Sequence, residues 1–185
     1  MRKLFAFLVT SADGYDEGPN GEFDWPLVDD EFNEFGVAQL DEADTLVFGR
    51  RTYEGMAAYW PTIGEGDDLE VAARMNGYPK IVVSRTLDRA DWHGTRIIRD
   101  DVAGELTKLK AEPGKDITIL GSSDLTVSLI RMGLVDEVRI MVNPIVLGAG
   151  RSVFHTAGGR IGLTLLRTRQ FRSGNVLLVY RPSAG

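Results

Sequence analysis

The sequence predicts an α/β domain: a mostly parallel sheet of about eight strands, helices on both faces, and an antiparallel C-terminal hairpin at one edge. Three observations predict it. Short apolar, β-branched runs alternate with helix-spaced stretches from residue 1 to about residue 140. No long linker, repeat or low-complexity segment interrupts that alternation. Two late apolar runs then flank Ser173-Gly174-Asn175, the composition of a hairpin turn.

At 185 residues the chain reads as one domain spanning 1–185, with enough apolar content, 43%, to build a core without staples. The formal net charge is −6, which gives no global support to a nucleic-acid or anionic-membrane partner. There is no cysteine, which excludes disulfides, thiolate nucleophiles and Cys-ligated metal. His93 and His155 are the only histidines, and they do not sit at a metal-ligand spacing. The apolar start, Leu4 to Val9, is stopped by Thr10-Ser-Ala-Asp-Gly14, so it reads as a first strand and not a signal peptide. No run approaches the roughly 18 apolar residues of a membrane span. The expected location is the cytoplasm.

Taken in order, Lys3 to Thr10 is a buried strand. Tyr15 to Asp30 reads as a loop, with turn chemistry at Gly18-Pro19-Asn20-Gly21 and large apolar side chains at Phe23, Trp25 and Leu27. A loop of that length carrying aromatics is more often a lid than a connector. Asp29-Asp30-Glu31 then open a helix with apolar positions at Phe32, Phe35, Val37 and Leu40, the acids favouring its first turn. Thr45 to Phe48 is a second strand, followed by Gly49-Arg50-Arg51-Thr52 and a helix through about Tyr59, ended by Trp60-Pro61. Asp67 to Asn76 reads as a short exposed helix. Ile81 to Ser84 is a strand leading into Arg85-Thr86, Arg96 to Ile98 a brief strand, and Val102 to Ala111 a helix closed by Pro113-Gly114. Ile117 to Leu120 is the next strand. It breaks through Gly121-Ser122-Ser123 into a helix carrying Leu125, Leu129 and Met132, with Ser123 or Asp124 as N-cap. Glu137 to Val142, Leu163 to Phe171 and Val176 to Arg181 complete the strands.

Ligands of such sheets bind at the carboxyl ends of the strands, and three of those ends carry Gly-Arg-Arg-Thr, Ser-Arg-Thr and Gly-Ser-Ser. Each could be an ordinary exit turn. Together they offer two helix N-termini, several hydroxyls and up to three arginines, equipment for a pyrophosphate and a further phosphate. NADPH has both, whereas NADH lacks the ribose phosphate that a Ser-Arg-Thr corner would hold. The Gly-x-Gly-x-x-Gly and Walker-type loops are absent, which disfavours a Rossmann dinucleotide site and a P-loop hydrolase.

Gly49-Arg-Arg-Thr-Tyr-Glu54, Val82-Val-Ser-Arg-Thr86 and Leu120-Gly-Ser-Ser123 resemble, in order, the three cofactor-contacting segments of the dihydrofolate reductase fold. Ser11-Ala-Asp-Gly14, Gly133-Leu-Val-Asp-Glu137 and Pro144-Ile-Val-Leu-Gly-Ala-Gly150 are more similar to the reductase domain of riboflavin biosynthesis. The resemblance covers nearly the whole chain. It implies NADPH contacts at Gly49, Arg50, Arg51 and Thr52, at Ser84, Arg85 and Thr86, and at Gly121, Ser122 and Ser123, with Val9 and Thr10 flanking the nicotinamide. It implies hydride transfer to a pyrimidine- or pterin-like substrate, most like 5-amino-6-(5-phosphoribosylamino)uracil, and a homodimer formed through the C-terminal strands. A dihydrofolate reductase, a non-catalytic NADPH-binding protein and a dimerisation domain are the alternatives. Dihydrofolate reductases carry adjacent glycines where this chain has Gly121-Ser122, and no basic residue in the first helix stands ready for a folate glutamate tail.

The proton needed beside the hydride is assigned to Asp30, five positions after Trp25, which retains the spacing of the reductases' loop tryptophan and helix acid. The expectation is an Asp30 carboxyl buried beneath Trp25 in the substrate pocket, its pKa raised by that burial. Asp13 is the second candidate, although Asp-Gly is more often a turn. Asp29 and Glu31 compete with Asp30 for the same role, and all three acids also have a plain reading as helix N-terminal acids.

Overall fold

The computed structural model describes residues 1–183 apart from Glu65 and Asp67. The chain runs β1 (Leu4–Thr10), β2 (Tyr15–Glu17), α1 (Asp30–Asp41), β3 (Ala43–Gly49) and α2 (Arg50–Tyr59), which a 3₁₀ turn at Trp60–Thr62 ends. It continues through α3 (Leu69–Gly77), β4 (Lys80–Val83), β5 (Thr95–Ile98), α4 (Val102–Ala111), β6 (Asp116–Leu120) and α5 (Ser123–Arg131). The last elements are β7 (Glu137–Val142), β8 (Arg151–Ser152), β9 (Leu163–Gln170) and β10 (Val176–Pro182).

Eight of these strands form one sheet in the order β5-β4-β3-β6-β1-β7-β10-β9. The first six run parallel, and β10 and β9 close the sheet antiparallel, as the sequence predicts. Both faces are covered, which explains why β1 reads Leu-Phe-Ala-Phe-Leu-Val without a polar alternation. One face puts Leu4, Ala6 and Leu8 of β1 with Val47, Ile81, Ile119, Val138 and Ile140 against Leu106 of α4 and Leu129 of α5. The other puts Leu46, Phe48, Val82 and Leu120 against Leu40 of α1, Tyr53 of α2 and Met75 of α3. Further along that second face, Phe32 and Phe35 of α1 pack on Phe7, Met141 and Phe171.

Three local expectations are corrected. The Tyr15–Asp30 segment is not loop throughout: its first three residues are β2, paired antiparallel with β8 in a separate two-stranded sheet. The helix before β4 is not simply exposed, since Ala72 and Met75 of α3 are buried in the core; Asp67, where that helix was expected to begin, lies outside the described residues. At α5 the N-cap position is Ser122, one residue earlier than expected, and its side chain caps no helix amide.

A charged cluster ties α1 to the sheet from below. Arg139 of β7, only 3% exposed, lies 3.8 Å over the Phe5 ring. Its guanidinium donates to Glu137 at 2.7 Å and Glu42 at 2.5 Å, and Arg167 reaches Glu137 from β9 at 3.2 Å. The charge is buried but fully paired, the condition under which such a group is tolerated.

Candidate functional site

The sheet order decides the geometry of the site. β4, β3 and β6 are consecutive neighbours, and β1 follows β6, so their carboxyl ends form one continuous rim. Gly49, Ser84 and Gly121, which are 35 and 37 positions apart along the chain, lie at the ends of those strands, with Thr10 at the end of β1. The three predicted segments are therefore brought together.

At the middle of the rim two helix N-termini meet. The Gly49 amide, at the N-cap of α2, donates to Ser122 Oγ at the N-cap of α5, at 2.9 Å. Helices α1 and α4 have their first turns capped by the carboxylates of Asp29 and Asp101. Neither α2 nor α5 has a side-chain cap, so their leading amides are left open. Gly121 and Ser122 both adopt left-handed backbone, with φ of 57° and 52°. This turns the chain sharply into α5, and a side chain at Gly121 would come within 3.3 Å of the Thr52 methyl. Serine at 122 holds the left-handed conformation at a cost in strain. Asp124, the one acid in the first turn of α5, is turned away toward His155 Nε2 at 3.4 Å and Thr156 Oγ1 at 3.2 Å.

The hydroxyls divide into free and committed. Ser84 Oγ accepts from the Thr86 and Leu87 amides at 3.2 and 3.0 Å, which shapes the corner after β4 and leaves its own proton to donate. Ser123, 1% exposed, donates its proton to Asp16 at 2.6 Å. Among the described residues Thr52 and Thr86 make no side-chain hydrogen bond. Arg50 and Arg85 are exposed; Arg50 reaches only Glu54, at 4.0 Å, while Arg51 pairs with Glu17 at 3.2 Å. Thr10 is buried and Val9 half-buried, on opposite faces of β1, so only Val9 faces the α1 side with Phe7, Phe32 and Phe35. An open cleft of about 780 Å³ lies in front of α2, lined by Tyr15, Glu17, Pro19, Arg51, Arg151 and His155. Of the predicted cofactor residues only Arg51 lines it.

Asp30 is not where the sequence places it, whereas Asp13 sits in the turn that its Asp-Gly pair suggests. Asp30 is exposed as the first residue of α1, with no side-chain hydrogen bond among the described residues. Trp25 does not cover it: the indole stacks edge-on to Phe23 at 5.5 Å and donates to the Glu22 carbonyl of its own loop at 3.3 Å. The reason is the rotation of α1. Packing of Phe32 and Phe35 on Phe7 and Phe171 leaves Asp29 as N-cap to the Phe32 amide and aims Glu31 at Arg169 and Arg172. Asp30 faces solvent. The Arg172 amide and the Arg169 guanidinium hold the Glu31 carboxyl below the usual carboxylate range. Asp13 accepts from Ser11 Oγ at 2.7 Å and from the Leu147 and Gly148 amides at 3.1 and 2.8 Å. The Ser11 hydroxyl and then those amides lower its pKa, and the carboxylate anchors the Pro144–Gly150 segment.

Several residues of this region carry no signal in the sequence. Asn143 and Asn175, both fully buried, grip the backbone of Leu27: Asn143 Oδ1 accepts from its amide at 2.8 Å, and Asn175 Nδ2 donates to its carbonyl at 2.9 Å. They fix the far end of the Gly18–Asp29 loop to β7 and to the β9–β10 turn. Asp16, Glu17 and Arg151 form the β2–β8 strap across the rim. An acid pair in a loop and an arginine after Gly150 are unremarkable until the strands meet. Among the described residues no three His, Cys, Asp or Glu side chains gather as a metal site, and no helix is long and apolar enough to cross a membrane.

Comparison with known proteins follows the same lines. The model of the RibD C-terminal domain matches residues 2–177. The uncharacterized protein YyaP of Bacillus subtilis is 36% identical over 183 residues, covering 97% of this chain and 95% of that protein. Among solved structures, the deaminase/5-amino-6-(5-phosphoribosylamino)uracil reductase of Thermotoga maritima superposes with a TM-score of 0.71 at 12% identity. It covers 98% of this chain, which spans 57% of that longer one. The dihydrofolate reductase of Enterococcus faecalis, solved with NADP(H), superposes with a TM-score of 0.61 at 16% identity over 98% of this chain and 96% of its own. The eight-stranded sheet is thus the dihydrofolate reductase-like fold, and the chain belongs to the RibD C-terminal domain family.

Proposed function

We propose that the protein is an NADPH-dependent reductase that transfers hydride to a pyrimidine- or pterin-like heterocycle. The observation that carries this reading is the junction of two uncapped helix N-termini, α2 and α5, joined by the Gly49–Ser122 hydrogen bond at the carboxyl ends of adjacent parallel strands. Open amides and aligned helix dipoles favour a dianionic pyrophosphate there. The left-handed Gly121 gives the close backbone approach that it needs. The donor set fits the rest of the cofactor. Arg85, Thr86 and the free Ser84 proton suit a ribose phosphate, and Val9 with Phe7 supplies an apolar wall for a nicotinamide ring.

When bound, the cofactor supplies the hydride. The chain's own contribution is to orient the two rings at the end of β1, to exclude water with the Gly18–Asp29 loop held at Leu27, and to pass a proton. Asp30 is the proposed relay, through solvent at the mouth of the site, because Asp13 is fixed as an acceptor. Asp30→Asn would then lower turnover at least tenfold with little change in NADPH affinity. Unchanged turnover would remove Asp30 from the mechanism. The exposure of Asp30 favours one second reading, a chain that binds NADPH without turnover; an inert protein against every pterin and pyrimidine offered would select it. We further propose that two copies pair through β9, whose free edge exposes Leu165 and Leu166; light scattering of the purified chain measures this directly.

The deciding experiment is a titration with NADPH and, separately, NADH, followed by quenching of the three tryptophans. Micromolar NADPH binding, much weaker NADH binding and loss of that preference in Arg85→Ala are expected. No binding of either nucleotide would overturn the cofactor reading.

A further inference from the structure

The strap carries an arrangement that the cofactor reading does not use. Asp16 of β2 accepts the Ser123 hydroxyl at 2.6 Å and the Arg151 Nε and Nη2 donors, each at 3.2 Å. Arg151 also donates to Glu17 at 2.9 Å, and Glu17 accepts from Arg51 at 3.2 Å. The result is an unbroken ladder, Ser123–Asp16–Arg151–Glu17–Arg51, running from the N-terminus of α5 to that of α2. Its two carboxylates and two guanidiniums sum to zero charge. Asp16 and Arg151 are largely shielded, with side chains 12% and 24% exposed, so their attraction is screened less than that of a surface pair.

We infer that Asp16 and Glu17 act as an intramolecular stand-in for the cofactor's phosphates, latching the β2–β8 strap over the rim until a dinucleotide exchanges partners with them. This regulation of the site rests on the cofactor reading above. The chemistry of the hydroxyl supports it. Ser123 has one proton, and it is committed to Asp16, so Ser123 can donate to a phosphate only after that bond breaks. Arg51, likewise, is held by the strap's own carboxylate. A pyrophosphate between α2 and α5 would lie beside two like charges on β2 unless the arginines leave those carboxylates for the phosphate oxygens. The strap is suited to release. β2 pairs with β8 through only two residue pairs, with a register shift between them, and Gly150 enters the turn at φ 142°, where any side chain would meet the Glu17 carbonyl.

The test compares NADPH affinity, by tryptophan quenching, in the wild type, Asp16→Asn, Glu17→Gln and the double variant, each checked for fold by circular dichroism. Both substitutions keep the side-chain shape and remove the charge. Three- to tenfold tighter binding in each single variant, and tighter still in the double, is expected. Wild-type binding with equal or weaker binding in the variants would overturn the latch and leave the cofactor reading intact. No binding by any of the four would overturn the cofactor reading and the latch with it. A second measurement needs no substitution: saturating NADPH should raise amide hydrogen exchange at Tyr15–Glu17 and Arg151–Ser152 in the wild type. Bound NADPH that slows exchange there would show the strap closing, not opening, and would also overturn the latch.

Discussion

Ser122 Oγ accepts the Gly49 amide at 2.9 Å while its own backbone stands at φ 52°, so one strained residue joins the two helix starts on which the proposed site is built. The bond and the strain act in opposite directions on stability. Ser122→Ala keeps the left-handed backbone and leaves the Gly49 amide without a partner; it should cost about 1–2 kcal/mol. Ser122→Gly loses the same bond but relieves about 1 kcal/mol of strain, and should fall close to wild type. Urea denaturation separates the two, and an alanine variant as stable as the glycine variant would contradict the assignment.

Arg139 is the buried charge that most depends on its partners. Removing it in Arg139→Ala leaves Glu137, 7% exposed at its side chain, without its closest cation, and should destabilise the fold by about 3–5 kcal/mol. A double substitution, Arg139→Met with Glu137→Leu, replaces the pair by apolar side chains of similar volume and should recover most of that loss. Guanidinium denaturation of the three proteins checks both.

Lys80 gives the protein a pH signature. The residue is 1% exposed, and its ammonium donates to the carbonyls of Asn76, Tyr78 and His93 at 3.0, 2.8 and 3.1 Å and lies 4.5 Å over the Trp92 ring. Burial nonetheless pulls its pKa down from 10.5 to about 8. The unfolded chain then binds more protons than the folded one between these values, so stability rises with pH across that window, by up to about 3 kcal/mol from this group. Tyr59 and Tyr78, both raised above 10 by burial, oppose the trend beyond pH 10. Denaturation midpoints between pH 8 and 10 should therefore climb in the wild type and stay flat in Lys80→Met.

Asn143 should control the loop more than the sheet, since its Nδ2 reaches the Thr10 and Met141 carbonyls only at 3.4 and 3.5 Å. Asn143→Ala removes the acceptor of the Leu27 amide, and the loss of a buried hydrogen bond predicts about 1–3 kcal/mol of destabilisation. The loss should be concentrated in the Gly18–Asp29 segment. Limited proteolysis should cut the variant there while the wild type resists; equal resistance would show that the clamp is not what holds the loop.

The sequence by itself determined the sheet and its rim. Eight apolar runs of strand length, a Ser-Gly-Asn turn near the end, and Gly or Ser at three strand ends are local patterns, each legible within about ten residues. Parallel direction puts Gly49, Ser84 and Gly121 on one edge, because strands joined through helices all present their carboxyl ends to one side; the strand order β4-β3-β6, which the sequence does not give, makes them neighbours.

Only the tertiary structure decided how that rim is occupied. Strands of three and two residues have no periodicity to read, so β2 and β8 become visible only where Tyr15 faces Ser152. Asp16 reaches Ser123 across 107 positions and Arg151 across 135, distances over which local pattern carries no information. The fate of Asp29, Asp30 and Glu31 was likewise a question of helix rotation. Neighbours on a helix point about 100° apart, and the seating of Phe32 and Phe35 on the sheet made one a cap, one an ion-pair partner and one a solvent-facing acid.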